Sequence, residues 1–196
     1  MGTRQRPKKW KADGIDFDSK EEMEFYHWLC EAKEHGLVET FSYHPYSFKL
    51  YDGLKYTQVI QLKTKTKTRE RTLLKPHVYT PDYVVIPVKG SLLDGNSIFR
   101  RVDEEHPFVI EVKGMYLQNE RFPLNQKWVH QSCGIFVDKV VPQKLFLKTW
   151  VPAKCLITPH TGKPCATWHL TYGRRAVNQR KEGVRDIGEF MKTWKS

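Results

Sequence analysis

The chain has 196 residues, 39% of them hydrophobic and 13% aromatic, which suits one cored domain with at most a small appendage and excludes wholesale disorder. Thirty-three Lys and Arg against 22 Asp and Glu leave a formal charge of +11, which points to polyanionic partners, nucleic acid before acidic membrane. No apolar run approaches the roughly 18 residues of a transmembrane helix, no apolar stretch follows the basic start as in a secretory leader, and the sparse Cys30, Cys133, Cys155 and Cys165 suit a reducing cytoplasm.

The charge lies in stripes. Met1–Lys11 carries five cations and no acid, Lys63–Lys75 six cations against Glu70, and Gly173–Arg185 five against Glu182. The remainder is mildly acidic.

In chain order, residues 1–14 read as a flexible basic arm. Ser19 with Glu22 three residues later forms a capping box, which opens a helix to about His35 with Gly36 as its stop. Leu37–Phe41 leads into extended chain. Tyr46–Tyr51 and Lys55–Leu62 read as strands around the turn residues Asp52-Gly53. Tyr79–Val88 is strand-like, 89–95 is loop, and Ile98–Val102 is a further short strand. Phe108–Lys113 is a strong strand ended by Gly114. Arg121–Gln131 is a helix, with Pro123 tolerated in its first turn. Ile135–Val141 and Lys144–Val151 read as extended. Cys155–Thr158 and Thr167–Tyr172 pair as a hairpin across Pro159–Pro164. Val184, Ile187, Met191 and Trp194 mark the apolar face of a last helix. The expected architecture is α+β, a central mixed sheet flanked by helices, with a core over 15–150 and a hairpin-plus-helix extension over 151–196.

Three pieces carry chemistry. Side chains alternate along a strand, so Phe108, Ile110 and Val112 share one face and Val109, Glu111 and Lys113 the other. A Glu and a Lys in an otherwise apolar strand are costly unless paired or metal-bound. Asp82 stands where the preceding apolar strand begins, and two acids on neighbouring strands can bind a hard divalent cation. In the first helix, Met23, Phe25, Tyr26, Leu29 and Cys30 span an apolar arc. Glu22 falls inside that arc and Glu24 outside it. The bland alternative is that Glu22 is a capping-box acid alone and that Glu111 and Lys113 form an edge-strand ion pair.

Pro81-Asp82 followed by Glu111-Val112-Lys113, with a helix acid upstream, resembles the PD-(D/E)xK nuclease superfamily. Phe17-Asp18-Ser19-Lys20-Glu21-Glu22 and Tyr79-Thr80-Pro81-Asp82-Tyr83 look like the phage-encoded endonucleases and Holliday junction resolvases related to phage endonuclease I. The resemblance covers 17–131. The Tyr83–Glu111 separation exceeds the compact hairpin usual in that group, which implies an insertion at Gly90–Val102. The resemblance implies a restriction-endonuclease-like core and magnesium-dependent phosphodiester hydrolysis, with manganese able to substitute. Asp82, Glu111 and the Val112 backbone carbonyl would hold the metal, Lys113 would orient or deprotonate the attacking water, and Glu22 would complete the site. Lys127, or Gln126 beside it, would contact the scissile phosphate. The implied substrate is branched DNA such as a four-way junction, cut by a homodimer in phage recombination or DNA processing, in the host cytoplasm. The alternatives are a restriction-like, transposon-type or repair endonuclease on linear duplex, and a non-catalytic nucleic-acid-binding protein.

Residues 63–72 alternate cation with Thr or Glu. In an extended chain Lys63, Lys65, Lys67, Arg69 and Arg71 line one face, repeating at about 6.6 Å, close to a phosphate backbone's spacing. DNA contact through backbone and shape is expected there. The bland alternative is a solvated ribbon whose lysines discourage edge pairing. Cys155, His160, Cys165 and His169 have partial zinc-ligand spacing, but they lack an opening Cys-x-x-Cys pair, and the turn residues between them favour a structural hairpin over zinc.

Overall fold

The computed structural model describes residues 9–95, 97–115, 121–158, 161–165, 168–172, 175–180 and 185–194. The chain opens with a small hairpin of β1 (Trp10–Ala12) and β2 (Ile15–Phe17), so part of the expected basic arm is paired strand. Helix α1 (Lys20–Glu34) follows, capped by Ser19, whose hydroxyl accepts from the Glu22 N–H and donates to Glu22 Oε1 at 2.7 Å. The Glu22 carboxylate also accepts from the Asp18 N–H at 3.2 Å, so the pair satisfies one N–H in the first turn and one just before the cap, a variant of the capping box.

Next come β3 (Val38–Tyr43), β4 (Phe48–Tyr51), β5 (Leu54–Gln61), β6 (Thr66–Leu74), β7 (His77–Tyr79), β8 (Tyr83–Pro87) and β9 (Phe108–Val112). Helix α2 (Arg121–Cys133) carries the chain over to β10 (Val137–Val140), which lies parallel to β9. The remainder is α3 (Pro142–Lys148), a single-turn 3-10 helix at Ala153–Leu156, β11 (His169–Tyr172), β12 (Arg175–Arg180) and α4 (Ile187–Trp194). The architecture is α+β.

The central sheet has the order β10-β9-β8-β3, antiparallel except for β9 with β10. Its faces divide as the alternation in β9 requires. Tyr83, Val85, Phe108, Ile110 and Val112 pack with Phe25, Trp28 and Leu29 of α1, while Val109 packs with Phe122 and Val129 of α2 and with Phe48, Leu50 and Tyr79. Trp28 stacks on Trp150 with ring centroids 4.3 Å apart, and its Nε1 donates to Thr149. Truncating such a buried aromatic costs about 3–5 kcal/mol. The long connection between β8 and β9 leaves their pairing intact, with Tyr83 opposite Ile110 and Val84 opposite Val109.

Several sequence expectations are corrected. Strands β4 and β5 flank Asp52-Gly53 as expected but do not pair with each other; β4 pairs with β7 and β5 with β6. Gly53 makes the corner between the two ribbons at φ 86°, where a Cβ would meet the Leu74 carbonyl at 2.9 Å. Ile98–Val102 is not a strand. Its backbone is held through side chains, since the Arg100 N–H donates to Asp138 Oδ2 and Arg101 bonds Asp94 and the His106 carbonyl. Lys144–Val151 is not extended through its first half, because Pro142 opens α3 and buries Leu145 and Phe146 against the core. Cys155–Thr158 does not pair with Thr167–Tyr172. Ile157 bridges Pro164 in a tight turn, and β11 pairs with β12. Glu24 is 3% exposed, not on an open face, because Cys155 and its neighbours cover that side of α1; Lys20 neutralises it at 2.9 Å. The last helix begins at Ile187, and the Val184 end of the expected span lies outside the described residues. No helix among the described residues is long and apolar enough to cross a membrane.

Candidate active site

The loop before β8 places Asp82 beside the end of β9. Asp82 Oδ2 accepts the Val112 N–H at 2.6 Å. This bond continues the β8–β9 ladder with a side chain where the backbone pairing ends. It fixes the Asp82 carboxylate against Glu111-Val112-Lys113. The N–H and C=O of one strand residue face the same side, so the Val112 carbonyl is directed toward the same edge as its N–H.

Glu111 is 7% exposed and Asp82 8%. Glu111 Oε1 is paired with the Lys113 ammonium, and Oε2 accepts from the Tyr79 hydroxyl at 2.6 Å. Burial pushes the Glu111 carboxyl up, and the charge of Asp82 adds to this; the bonds from Lys113 and Tyr79 work against it. The Tyr79 phenol is raised by burial and by Glu111, so it remains a proton donor.

Glu22 reaches the site from the first turn of α1 and is 7% exposed. Its Oε1 serves the Ser19 cap, and its Oε2 accepts from the Tyr43 hydroxyl at 2.6 Å and from the Asp18 N–H at 3.2 Å. The capping role and the site role are therefore compatible, with one oxygen given largely to each. Asp18, Glu22 and His44 offer ligand atoms within 4.8 Å of one another. His44 Nε2 also lies 3.4 Å from Asp82 Oδ1, and the His44 backbone N–H donates to the Asp82 carbonyl. His44 thus links the helix acid to the strand acid. Its hydrogen bond to Asp82 raises its pKa, and the charges of Asp82, Glu22 and Asp18 do so further.

The donor set suits a hard divalent cation. It is built of carboxylate oxygens with lone pairs to spare and a backbone carbonyl. The repulsion between Asp82 and Glu111 is of the kind a cation relieves.

The structure joins Asp82 to the Val112 N–H and Glu111 to Lys113, and His44, beside both Glu22 and Asp82, links the helix acid to that pair. The cationic stripe stands on the β5–β6 ribbon, outside the central sheet, and Lys127 stands on α2. Lys63 and Lys65 belong to the turn between β5 and β6, where Leu62 N–H bonds the Lys65 carbonyl. Lys67, Arg69 and Arg71 lie on β6, exposed throughout. The five cations therefore do not share one strand face, because the chain reverses through Leu62–Lys65. Lys127 is exposed on α2, while Gln126 is committed to the Val137 carbonyl at 2.6 Å. Cys155 is buried and Cys165 half-buried, and His160 lies outside the described residues.

Asp18, Tyr43, His44 and Tyr79 are site residues that the sequence reading did not select. Compared with known protein families, curated proteins and solved structures, the chain matches none of them.

Proposed function

We propose that this chain is a metal-dependent endodeoxyribonuclease of the PD-(D/E)xK type with a restriction-endonuclease-like core. The element order α1–β3–β8–β9–α2–β10 around a four-stranded sheet supports that reading. The observation that carries it is the Asp82–Val112 hydrogen bond, which sets Asp82 beside Glu111-Val112-Lys113 at one end of the central strands β8 and β9.

Asp82, Glu111 and the Val112 carbonyl would hold magnesium, or manganese in its place. When bound, such an ion polarises a scissile phosphate and lowers the pKa of a coordinated water. Lys113 is placed to orient the attacking water and to offset charge building on the phosphate oxygens. Tyr79 holds the Glu111 carboxylate in one rotamer, and Glu22 with Tyr43 does the same on the α1 side. The exposed cations of β6 hold the DNA backbone.

Branched DNA is the proposed substrate, and symmetric cutting of a junction calls for a two-fold dimer. The test is cleavage of linear, flapped, single-stranded and four-way DNA by purified protein with magnesium. Faster cutting of the four-way DNA than of the matching duplex is expected. Equal rates would remove the junction preference, and no cutting of any substrate would remove the nuclease.

A further inference from the structure

We infer that the β5–β6 ribbon lies in the major groove of duplex DNA flanking the cut, with one defined face inward. The inference rests on the nuclease reading for the position of the cut.

Among the described residues β5 and β6 pair only with each other. Every residue of β6 is exposed, and most of β5 is as well. A two-stranded ribbon alone in water is marginal, so a partner along its face supplies contacts that the fold leaves out.

The pairing defines the two faces. Tyr56 stands opposite Arg71, Gln58 opposite Arg69, and Ile60 opposite Lys67. That face carries three cations and no acid. Among the described residues none of the three is paired with a carboxylate, and Arg71 is oriented by its Nε–H bond to Gln58 at 3.1 Å. The opposite face holds Glu70, and Lys55 neutralises it at 2.9 Å. The cationic face therefore has an unopposed field and the other face none. Lys63 and Lys65 at the turn add charge to the tip.

The ribbon's dimensions select the groove. Eight residues of β5 span about 24 Å, the axial length of about seven base pairs at 3.4 Å each. The major groove is about 12 Å wide and admits a two-stranded ribbon, whereas the minor groove, at about 6 Å, does not. Arg, Lys, Gln and Tyr side chains on the inward face suit phosphate and base-edge contacts.

The base of the ribbon is fixed to the site. β4 pairs with β7, and His77 of β7 bonds Asn125 at 2.9 Å and stacks on Trp128 of α2. Two residues on, Tyr79 bonds Glu111. The ribbon and the carboxylates are therefore held by one short strand, so the duplex under the ribbon would be contiguous with the cut.

The test is fluorescence anisotropy in EDTA with a labelled 30-base-pair duplex over a series of salt concentrations. Lys67→Ala/Arg69→Ala/Arg71→Ala should lower the slope of log K against log salt by about 2.7. Thr57→Ala/Thr68→Ala, on the opposite face, should leave it unchanged. With the wild-type chain, methylation of guanine N7 in the major groove, but not of adenine N3 in the minor groove, should weaken binding across about seven base pairs on one side of the cut. An unchanged slope in the triple variant, interference confined to the minor groove, or the same loss on a single-stranded 30-mer or on anionic vesicles would overturn the inference. Binding in EDTA needs no chemistry. A wild-type chain with this binding signature that never cuts with magnesium would overturn the nuclease reading and leave the groove contact standing.

Discussion

The Tyr79 hydroxyl donates to Glu111 Oε2 at 2.6 Å, and both residues are buried. This bond joins β7, at the root of the exposed ribbon, to the acid on β9. A hydrogen bond to the charged form of a carboxyl favours that form, so Tyr79 opposes the upward push of burial and of Asp82 on Glu111.

Tyr79→Phe should therefore raise the Glu111 pKa further. The acid limb of the pH–rate profile should move to higher pH, with a several-fold loss of rate near its foot. The loss of stability should be about 1–3 kcal/mol, as for a hydrogen bond to a charged group. A pH–rate profile of the variant checks it, and an unmoved acid limb would mean that Tyr79 does not act on Glu111.

Glu22 has two roles that substitutions can separate. Ser19→Ala removes the α1 cap and should cost about 1 kcal/mol of stability while reducing cleavage only modestly. Glu22→Gln keeps a hydrogen-bonding group at the cap but removes the charge. It should lose cleavage by 100-fold or more with a smaller change in the urea midpoint. Were Glu22 only a capping acid, the two variants would show the reverse order.

Gly53→Ala places a Cβ at φ 86°, within 2.9 Å of the Leu74 carbonyl and the Pro76 nitrogen. Backbone has to shift to relieve it, at a cost of more than about 1 kcal/mol. The shift falls where the ribbon leaves the β4–β7 pair. Duplex affinity should fall several-fold, while cleavage at saturating DNA changes less. Anisotropy and single-turnover cleavage on the same preparation measure the two effects.

His27 is 8% exposed, with Nδ1 lacking a hydrogen-bond partner. Burial, with the Lys154 charge adding to it, lowers its pKa from 6.5 to about 4. The unfolded chain binds this proton near pH 6.5 and the folded chain only near pH 4. His27 therefore leaves stability unchanged above pH 6.5 and lowers it as pH falls from 6.5 toward 4, where the unfolded chain takes up the proton first. His27→Gln removes this titration. Urea unfolding at pH 7 and pH 4.5 should show a smaller acid loss in the variant than in the wild type, and equal losses would show that His27 is not the group responsible.

Local signals made the site's skeleton legible. The Ser19–Glu22 spacing marked the helix start, and the alternation in Phe108–Lys113 separated the faces that α1 and α2 cover. Tertiary context hid the rest. Glu24 looked exposed from the helix arc of Met23, Phe25 and Leu29, but Cys155, more than a hundred residues away, covers it. Asp52-Gly53 marked a turn but not the pairing, because a positive-φ glycine serves equally well in a hairpin and at a corner between two ribbons. Lys144–Val151 is a short apolar run of a kind that suits strand or helix alike, and Pro142 decided for helix. His44 sits in a loop with no periodicity, and its tie to Asp82 exists only once β3 and β8 pair.

The most direct measurement is magnesium-dependent cleavage of a four-way DNA by wild type, Glu111→Gln and Lys113→Ala, with binding of the same DNA measured in EDTA. The proposed site predicts cleavage by the wild type, a loss of at least about 100-fold in each variant, and binding within a few-fold of wild type in all three. Cleavage that survives both substitutions, or a wild type that binds and never cuts, would contradict it.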